Sequence, residues 1–269
     1  MAGCGLVNLG SCLPQKFFEL ILDLVNAPIR PFLELTLNLL SEPINAGLFL
    51  NMWVIIIYIL SMFYALLLLS SGFNFMTSGY DSAKREKAKG WLRNIIIMII
   101  LIQSSFFIYE LAINLSSILT STTLTLIDPD FFLLGTEGID DLGMAIILGF
   151  LYIIVLMLTT LVLVIRYAFV AVGVVLLPMG IFFYFLPPMK QYGSLILNLL
   201  GISIFVTVFD VILLAGFSKL IDIGTFGEMK ILILICAFLF ISVLMLFLMF
   251  FGIIKSAFSV YSDIKRWKL

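Results

Sequence analysis

Six long apolar runs constrain this chain more than any other feature of its sequence. They cover residues 50–76, 92–119, 143–165, 167–186, 193–218 and 231–254. About 20 apolar residues are enough for a helix to cross a bilayer. The whole chain is 63% hydrophobic and 12% charged, whereas soluble domains are about 45–50% apolar and about 25% charged. The sequence therefore predicts an all-α polytopic membrane protein with five to six transmembrane helices.

Residue types that carry most enzyme chemistry are scarce. The chain has no histidine and three cysteines, none of them in a CxxC pair, which excludes histidine-ligated metals and Ser-His-Asp triads. It also has no glycine-rich loop ending in Lys-Ser or Lys-Thr for phosphate binding. We therefore expect no enzyme and no catalytic, cofactor or metal site. Cys4 and Cys12 would share one side of the membrane, and whether they form a disulfide is open.

The first 48 residues have a different pattern from the rest. Polar residues recur at helical spacing on both sides of Pro28 and Pro31, so we expect two amphipathic interfacial helices joined at a proline kink. The charges make a spanning helix costly here. The pair could lie on the membrane surface, or it could form a collar that binds a partner or lines a pore. A transmembrane domain (49–254) and a basic tail (255–269) would follow.

A connector at 79–93 holds the densest basic cluster of the chain. Its five basic residues are Lys84, Arg85, Lys87, Lys89 and Arg93. Asp81 is a suitable N-cap for a short helix that contains them. The positive-inside rule predicts that the connector is cytoplasmic and that the N-terminus is outside the cell membrane. The acidic loop at 120–142 lacks Lys and Arg and would then be external. The cluster could set topology and contact lipid headgroups, or it could bind nucleic acid or a cytoplasmic ATPase.

The distribution of basic residues favours five crossings over six. If the stretch 143–186 crosses only once, ten basic residues lie inside and four outside, with the C-terminus cytoplasmic. If all six runs cross, the split is eight against seven. A single crossing by so long a stretch requires a break, and we expect one near Arg166 or Pro178 because the helix would far exceed a ~30 Å hydrocarbon core.

A few polar residues fall within the apolar runs. Arg166, Asp210 and Gln103 are the candidates, and charges at membrane depth usually face other protein or a water-filled cavity. Arg166 and Asp210 could form a structural ion pair, or they could line a translocation path. Proline marks a helix break in the same region, at Pro178, Pro187 and Pro188. The break could be a plain kink or could line a cavity.

Three stretches carry a resemblance to a known family. The segment GFNFMTSGYDSAKREKAKGWLRNIIIMIILIQSSFFIY (72–109) resembles the connector and following helix of membrane subunits in type IV secretion and conjugation systems. Arg166 with LLPMG (176–180) and YFLP (184–187) resembles the TrbL-like polytopic inner-membrane subunit of these machines. Residues 13–48 are similar to archaeal DNA-transfer relatives of that subunit. The external loop is shorter here than in many bacterial members.

The resemblance implies a channel or scaffold subunit of the cell membrane. Such a subunit forms a homo-oligomer, works with a secretion ATPase and a pilin-like subunit, and helps DNA or protein to cross. It would have five spans, which agrees with the distribution of basic residues. Two other classes stay open: a small-solute transporter or channel, and a structural membrane anchor for a pilus-like surface filament.

Overall fold

The computed structural model describes residues 9–79, 81–133, 142–221, 223 and 229–267. These residues form helices α1 (Leu9–Ser41), α2 (Leu50–Thr77), α3 (Ser82–Gln103), α4 (Ser105–Leu124), α5 (Leu142–Phe185), α6 (Lys190–Ile221) and α7 (Lys230–Trp267). Short 3-10 turns lie at Ala46–Phe49, Pro129–Phe132 and Pro187–Met189. The predicted all-α class is confirmed.

Among the described residues, four stretches are long and apolar enough to cross a membrane. They are Ala46–Thr77, Ile146–Phe185, Pro187–Ile221 and Lys230–Gly252. The pair formed by α3 and α4 passes the same test as a single span bent by 57°. The protein is therefore a membrane-embedded helical protein with four candidate spans, or five with the bent pair. The count of five agrees with the five-crossing arrangement.

Helix α5 lacks the predicted break. It runs without interruption from Leu142 to Phe185, through both Arg166 and Pro178. A proline inside a helix removes one backbone hydrogen bond, and a helix can bend there without ending. At about 1.5 Å per residue, 44 residues extend roughly 66 Å, so the helix reaches beyond a ~30 Å hydrocarbon core. The prediction of an end at Pro187 and Pro188 is confirmed, because α5 stops two residues before them.

The predicted pair of N-terminal helices is a single helix. Helix α1 continues through Pro28 and Pro31 as one element of 33 residues. Its buried side chains recur every three or four positions: Asn26, Ile29, Leu33, Thr36 and Leu40. This spacing forms one buried stripe along the helix from Asn26 to Leu40. Packing of this stripe holds the helix together on both sides of the prolines.

The chain divides into two compact units. The first comprises Met1–Glu42, Ser117–Ile165 and Thr207–Leu246, and the second comprises Pro43–Ser116, Arg166–Val206 and Phe247–Leu269. In the first unit, Phe132, Tyr152 and Phe238 pack ring against ring, with centroids 5.9–6.2 Å apart in two of the pairs. The core of the second unit is two clusters, one around Tyr109 and Val170 and the other around α2, α3 and the end of α5.

The start of the predicted acidic loop is ordered. Helix α4 continues past residue 120 to Leu124, and a 3-10 turn follows at Pro129–Phe132. Ile127, Phe131 and Phe132 are buried, and the Tyr152 hydroxyl donates a hydrogen bond to the Phe132 carbonyl at 3.2 Å. Apolar side chains thus tie this segment to the first unit. Residues 134–141 of the loop lie outside the described part of the chain.

Candidate functional site

The basic connector is the first part of helix α3. Asp81 precedes the helix, and its Oδ1 accepts hydrogen bonds from the backbone N–H groups of Ala83 (3.0 Å) and Lys84 (3.4 Å). These are donors that an α-helix leaves without intrahelical partners in its first turn. The predicted N-cap is confirmed. The connector is not a separate surface helix, however, because α3 runs on from Ser82 into the apolar stretch and ends at Gln103.

The five basic residues of the connector lie on different faces of α3. Arg85, Lys89 and Arg93 are spaced four residues apart, so they follow one side of the helix. All three line a single groove. Lys84 and Lys87 are exposed on other sides of the helix, and the Lys84 Nζ lies 3.7 Å from the Asp81 carboxylate. The sequence cluster therefore separates into three groove cations and two cations facing elsewhere.

The groove is walled by α3 and by the end of α2. Its volume is about 1300 Å³, and it is lined by Phe75, Gly79, Ser82, Arg85, Glu86, Lys89, Gly90, Leu92, Arg93, Ile96 and Ile97. The Arg85 guanidinium lies 5.7 Å from the centre of the Phe75 ring, a cation–π distance. Glu86 adds one carboxylate among the three cations. The polar residues occupy the first turns of α3, and Leu92, Ile96 and Ile97 continue the groove as an apolar surface.

Arg166 lies in the interior of the second unit. It is buried, with 6% of its surface exposed. Its Nε donates to the Ser203 carbonyl at 2.7 Å, and its Nη2 donates to the Ile204 carbonyl at 3.0 Å. The Ser116 hydroxyl donates to the same Ile204 carbonyl at 2.7 Å. The guanidinium therefore joins α5 to the backbone of α6, as expected of a structural residue at membrane depth.

The other predicted intramembrane polar residues have different surroundings. Asp210 is fully buried on α6 in the first unit, and its pairing with Arg166 stays a prediction. Gln103 is exposed and ends α3 at the bend.

The Ser104 hydroxyl donates to the Ile100 carbonyl at 2.9 Å, and the Trp53 Nε1 donates to the Ser105 hydroxyl at 2.9 Å. Serine bonding back to the preceding turn bends helices. The Gln-Ser-Ser sequence thus marks a bend that sequence reasoning missed.

Two glycines permit close packing of α5 and α6. A methyl group added at Gly193 would meet the backbone of Tyr184 and lie 2.6 Å from the Gly180 carbonyl oxygen. A methyl group at Gly173 would meet the Tyr109 hydroxyl and lie 2.6 Å from a Leu200 methyl group. Small residues let helix backbones approach in membranes. The region around Pro178, which we considered as a cavity lining, is packed: Pro178 itself is buried.

Sequence reasoning also missed a layer of hydroxyl groups in the first unit. The Thr36 and Thr160 hydroxyls are 2.8 Å apart and buried, which joins α1 to α5. The Thr159 hydroxyl lies 2.8 Å from the Ser242 hydroxyl, which joins α5 to α7. Hydroxyl side chains that bond across helices are common in membrane proteins. The signal was present as Thr159-Thr160 and Ser242 within otherwise apolar runs.

Metal-ligand groups and similarity to known proteins do not narrow the class of function further. Among the described residues, no group of three or more His, Cys, Asp and Glu side chains could hold a metal ion. Cys4 lies outside the described residues, so whether it forms a disulfide with Cys12 stays open. No family model, no curated protein and no solved structure matches the chain. The resemblance to the TrbL-like family rests on the quoted motifs alone.

Proposed function

We propose that this protein is a membrane scaffold or channel subunit of a type IV secretion or conjugation-like DNA-transfer machine. It would oligomerise in the cell membrane to form part of the translocation path. A secretion ATPase and a pilin-like subunit would be its partners, and DNA its transported substrate. The connector would face the cytoplasm and the N-terminus the outside, as the positive-inside rule predicts.

The surface of α2 is the main support for oligomerisation. Only 11% of its most apolar window is buried within the chain, compared with 44% for α5 and α6 and 50% for α7. Its most exposed side chains form a stripe with spacings of three and four: Tyr58, Met62, Leu66, Leu69, Phe73 and Met76. Helix association within a bilayer depends on packing. An apolar helix that its own chain leaves uncovered provides the surface for a second copy.

Arg166 favours a scaffold over a small-solute transporter. A transporter holds its substrate with polar groups directed at a cavity near the middle of the membrane. The guanidinium of Arg166 instead donates to two backbone carbonyls of α6. The hydroxyls of Thr36, Thr159 and Thr160 are likewise bonded between helices. These polar groups connect helices to one another, which is what a scaffold requires.

The test is the oligomeric state of the full chain, purified in mild detergent and measured by cross-linking and mass photometry. We expect a ring-like homo-oligomer that copurifies with a co-expressed secretion ATPase and pilin-like subunit. Replacing Leu66 and Leu69 by Trp should dissociate it, because bulky rings on the α2 stripe prevent close packing. Leu161→Trp on α5, also exposed, is the matched control and should leave the oligomer intact. A monomer that supports saturable solute uptake in proteoliposomes would contradict the proposal.

A further inference from the structure

The groove between α2 and α3 has a charged end and an apolar end. We propose that it binds one anionic phospholipid, with the phosphate among Arg85, Lys89 and Arg93 and an acyl chain along Leu92, Ile96 and Ile97. This inference goes beyond the secretion function proposed above, because it holds for whichever complex the protein serves. It also separates the connector cations by role, which the sequence alone did not do.

Charge defines the headgroup. Three cations and one carboxylate, Glu86, line the polar end, which leaves an excess of positive charge. All of these side chains are exposed, so they can reach a ligand in the groove. Arginine binds phosphate oxygens with two parallel hydrogen bonds, and lysine adds a point charge. A zwitterionic headgroup would bring its own cation into this positive field, and so an anionic headgroup fits better.

The change in lining along the groove indicates that the ligand has an apolar tail. Arg85 and Ile97 are twelve residues apart on one helix, about 18 Å along its axis. Over this distance the lining changes from cations to Leu92, Ile96 and Ile97. Ile96 and Ile97 are exposed, at 48% and 40%, and they belong to the apolar part of α3. A ligand that fills both ends must be amphiphilic, with its charged end at the membrane surface.

The size and the aromatic wall agree with a lipid. A volume of about 1300 Å³ exceeds the roughly 300–1,000 Å³ typical of small-molecule pockets. Phe75 closes one side and holds Arg85 by a cation–π contact. Gly79, in the turn after α2, leaves that side without bulk. A nucleic acid or a soluble protein would use the cations but would leave the apolar end uncovered, which disfavours both.

Native mass spectrometry of the full chain in detergent tests the proposal. Phosphatidylglycerol and phosphatidylcholine with identical acyl chains are added at equal concentration, and the retained lipid is measured. We expect retention of phosphatidylglycerol to exceed that of phosphatidylcholine by about thirtyfold, since the groove has a net excess of two cations and each contributes about 1 kcal/mol near an anionic headgroup. The R85Q/K89Q variant should lose this preference. Equal retention of both lipids by the wild-type protein would overturn the proposal.

The charge-matched control is K84Q/K87Q, which removes two connector cations that face away from the groove. It should keep the preference for phosphatidylglycerol within about twofold. An equal loss in both double variants would mean that overall charge attracts the lipid, and the proposal would then be wrong. The I96A/I97A variant keeps every cation and should lower retention of both lipids several-fold, because it removes apolar contact area.

Two competitors distinguish the source of the phosphate. Glycerol 3-phosphate carries the charged group without acyl chains, and a short single-stranded oligonucleotide carries phosphates in another class of molecule. We expect neither to displace phosphatidylglycerol at equal concentration. Displacement by glycerol 3-phosphate would indicate a site for free phosphate, and displacement by the oligonucleotide would indicate a nucleic-acid site. Either result would overturn the lipid proposal, and neither bears on the oligomeric state that tests the secretion function.

Discussion

Two regions of the chain use cations in contrasting ways, the packed interior around Arg166 and the open groove of α3. In the interior, the guanidinium donates to the carbonyls of Ser203 and Ile204, and 6% of the residue is exposed. In the groove, Arg85, Lys89 and Arg93 are exposed and follow one side of a helix. A cationic side chain is therefore structural in the packed interior and remains available for a ligand in the exposed groove. Replacing the interior cation should lower the stability of the protein, whereas replacing groove cations should lower the binding of a ligand.

The largest effect should come from Arg166→Ala. It removes two charge-assisted hydrogen bonds to α6 and leaves a cavity, so we expect the free energy of unfolding to fall by about 3 kcal/mol. Arg166→Lys should recover only part of this loss, because a single ammonium cannot reproduce the planar fork of a guanidinium. Equilibrium unfolding in mixed micelles measures both. An Arg166→Ala protein as stable as the wild type would remove the contrast between the two regions.

The next largest loss of stability should come from disturbing the close packing of α5 and α6. Gly193→Ala should destabilise the protein by about 2 kcal/mol, because the new methyl group meets the backbone of Tyr184 and Gly180 and overpacking forces the helices apart. Gly201→Ala on the same helix is the control. Nothing lies within 4 Å of a methyl group there, and alanine in a helix is favoured over glycine by up to about 1 kcal/mol. Equal unfolding free energies for the two variants would show that the contact is not tight.

A smaller effect should appear in the hydroxyl layer of the first unit. Thr159→Val removes the contacts of this hydroxyl with the Ser242 hydroxyl and the Phe238 carbonyl of α7 and nearly conserves volume, so we expect a loss of about 0.6 kcal/mol. Ser242→Ala removes its partner. Because the two hydroxyls share that hydrogen bond, the double variant should lose less than the sum of the single variants. Strictly additive losses in the same unfolding measurement would mean that these hydroxyls do not bond to each other.

Composition and hydrophobic runs were sufficient to predict the class of fold. Long apolar runs must satisfy their backbone polar groups within helices in lipid, so the helical class was predictable. The Asp81 cap was predictable because aspartate is a favoured residue before the first turn of a helix. Where helices end was less predictable. Pro178 suggested a break that is absent, and Ser104 carries a bend that we did not foresee. Both outcomes depend on whether neighbouring helices pack around the backbone where a hydrogen bond is weakened or lost.

The candidate site was predictable only as a charge cluster. The five basic residues are close in sequence, and the positive-inside rule treats them as equivalent. Their separation into groove and non-groove cations needs the position of Phe75 on α2 and of Gly79 in the turn that follows. The role of Arg166 likewise needs the carbonyls of α6, which are 37 and 38 residues away. Spacing along a helix predicts its faces, but tertiary packing decides what each face contacts.

Thermal unfolding with and without phosphatidylglycerol tests the contrast between the two regions most directly. A lipid that binds only the folded protein stabilises it, by about 2.7 kcal/mol at 100 times the Kd. We predict that the wild type and K84Q/K87Q gain stability with the lipid. R85Q/K89Q should unfold at the wild-type temperature without lipid and gain nothing with it. An R85Q/K89Q protein that is already destabilised without lipid, or that gains as much as the wild type, would contradict the assignment of the groove cations to a ligand.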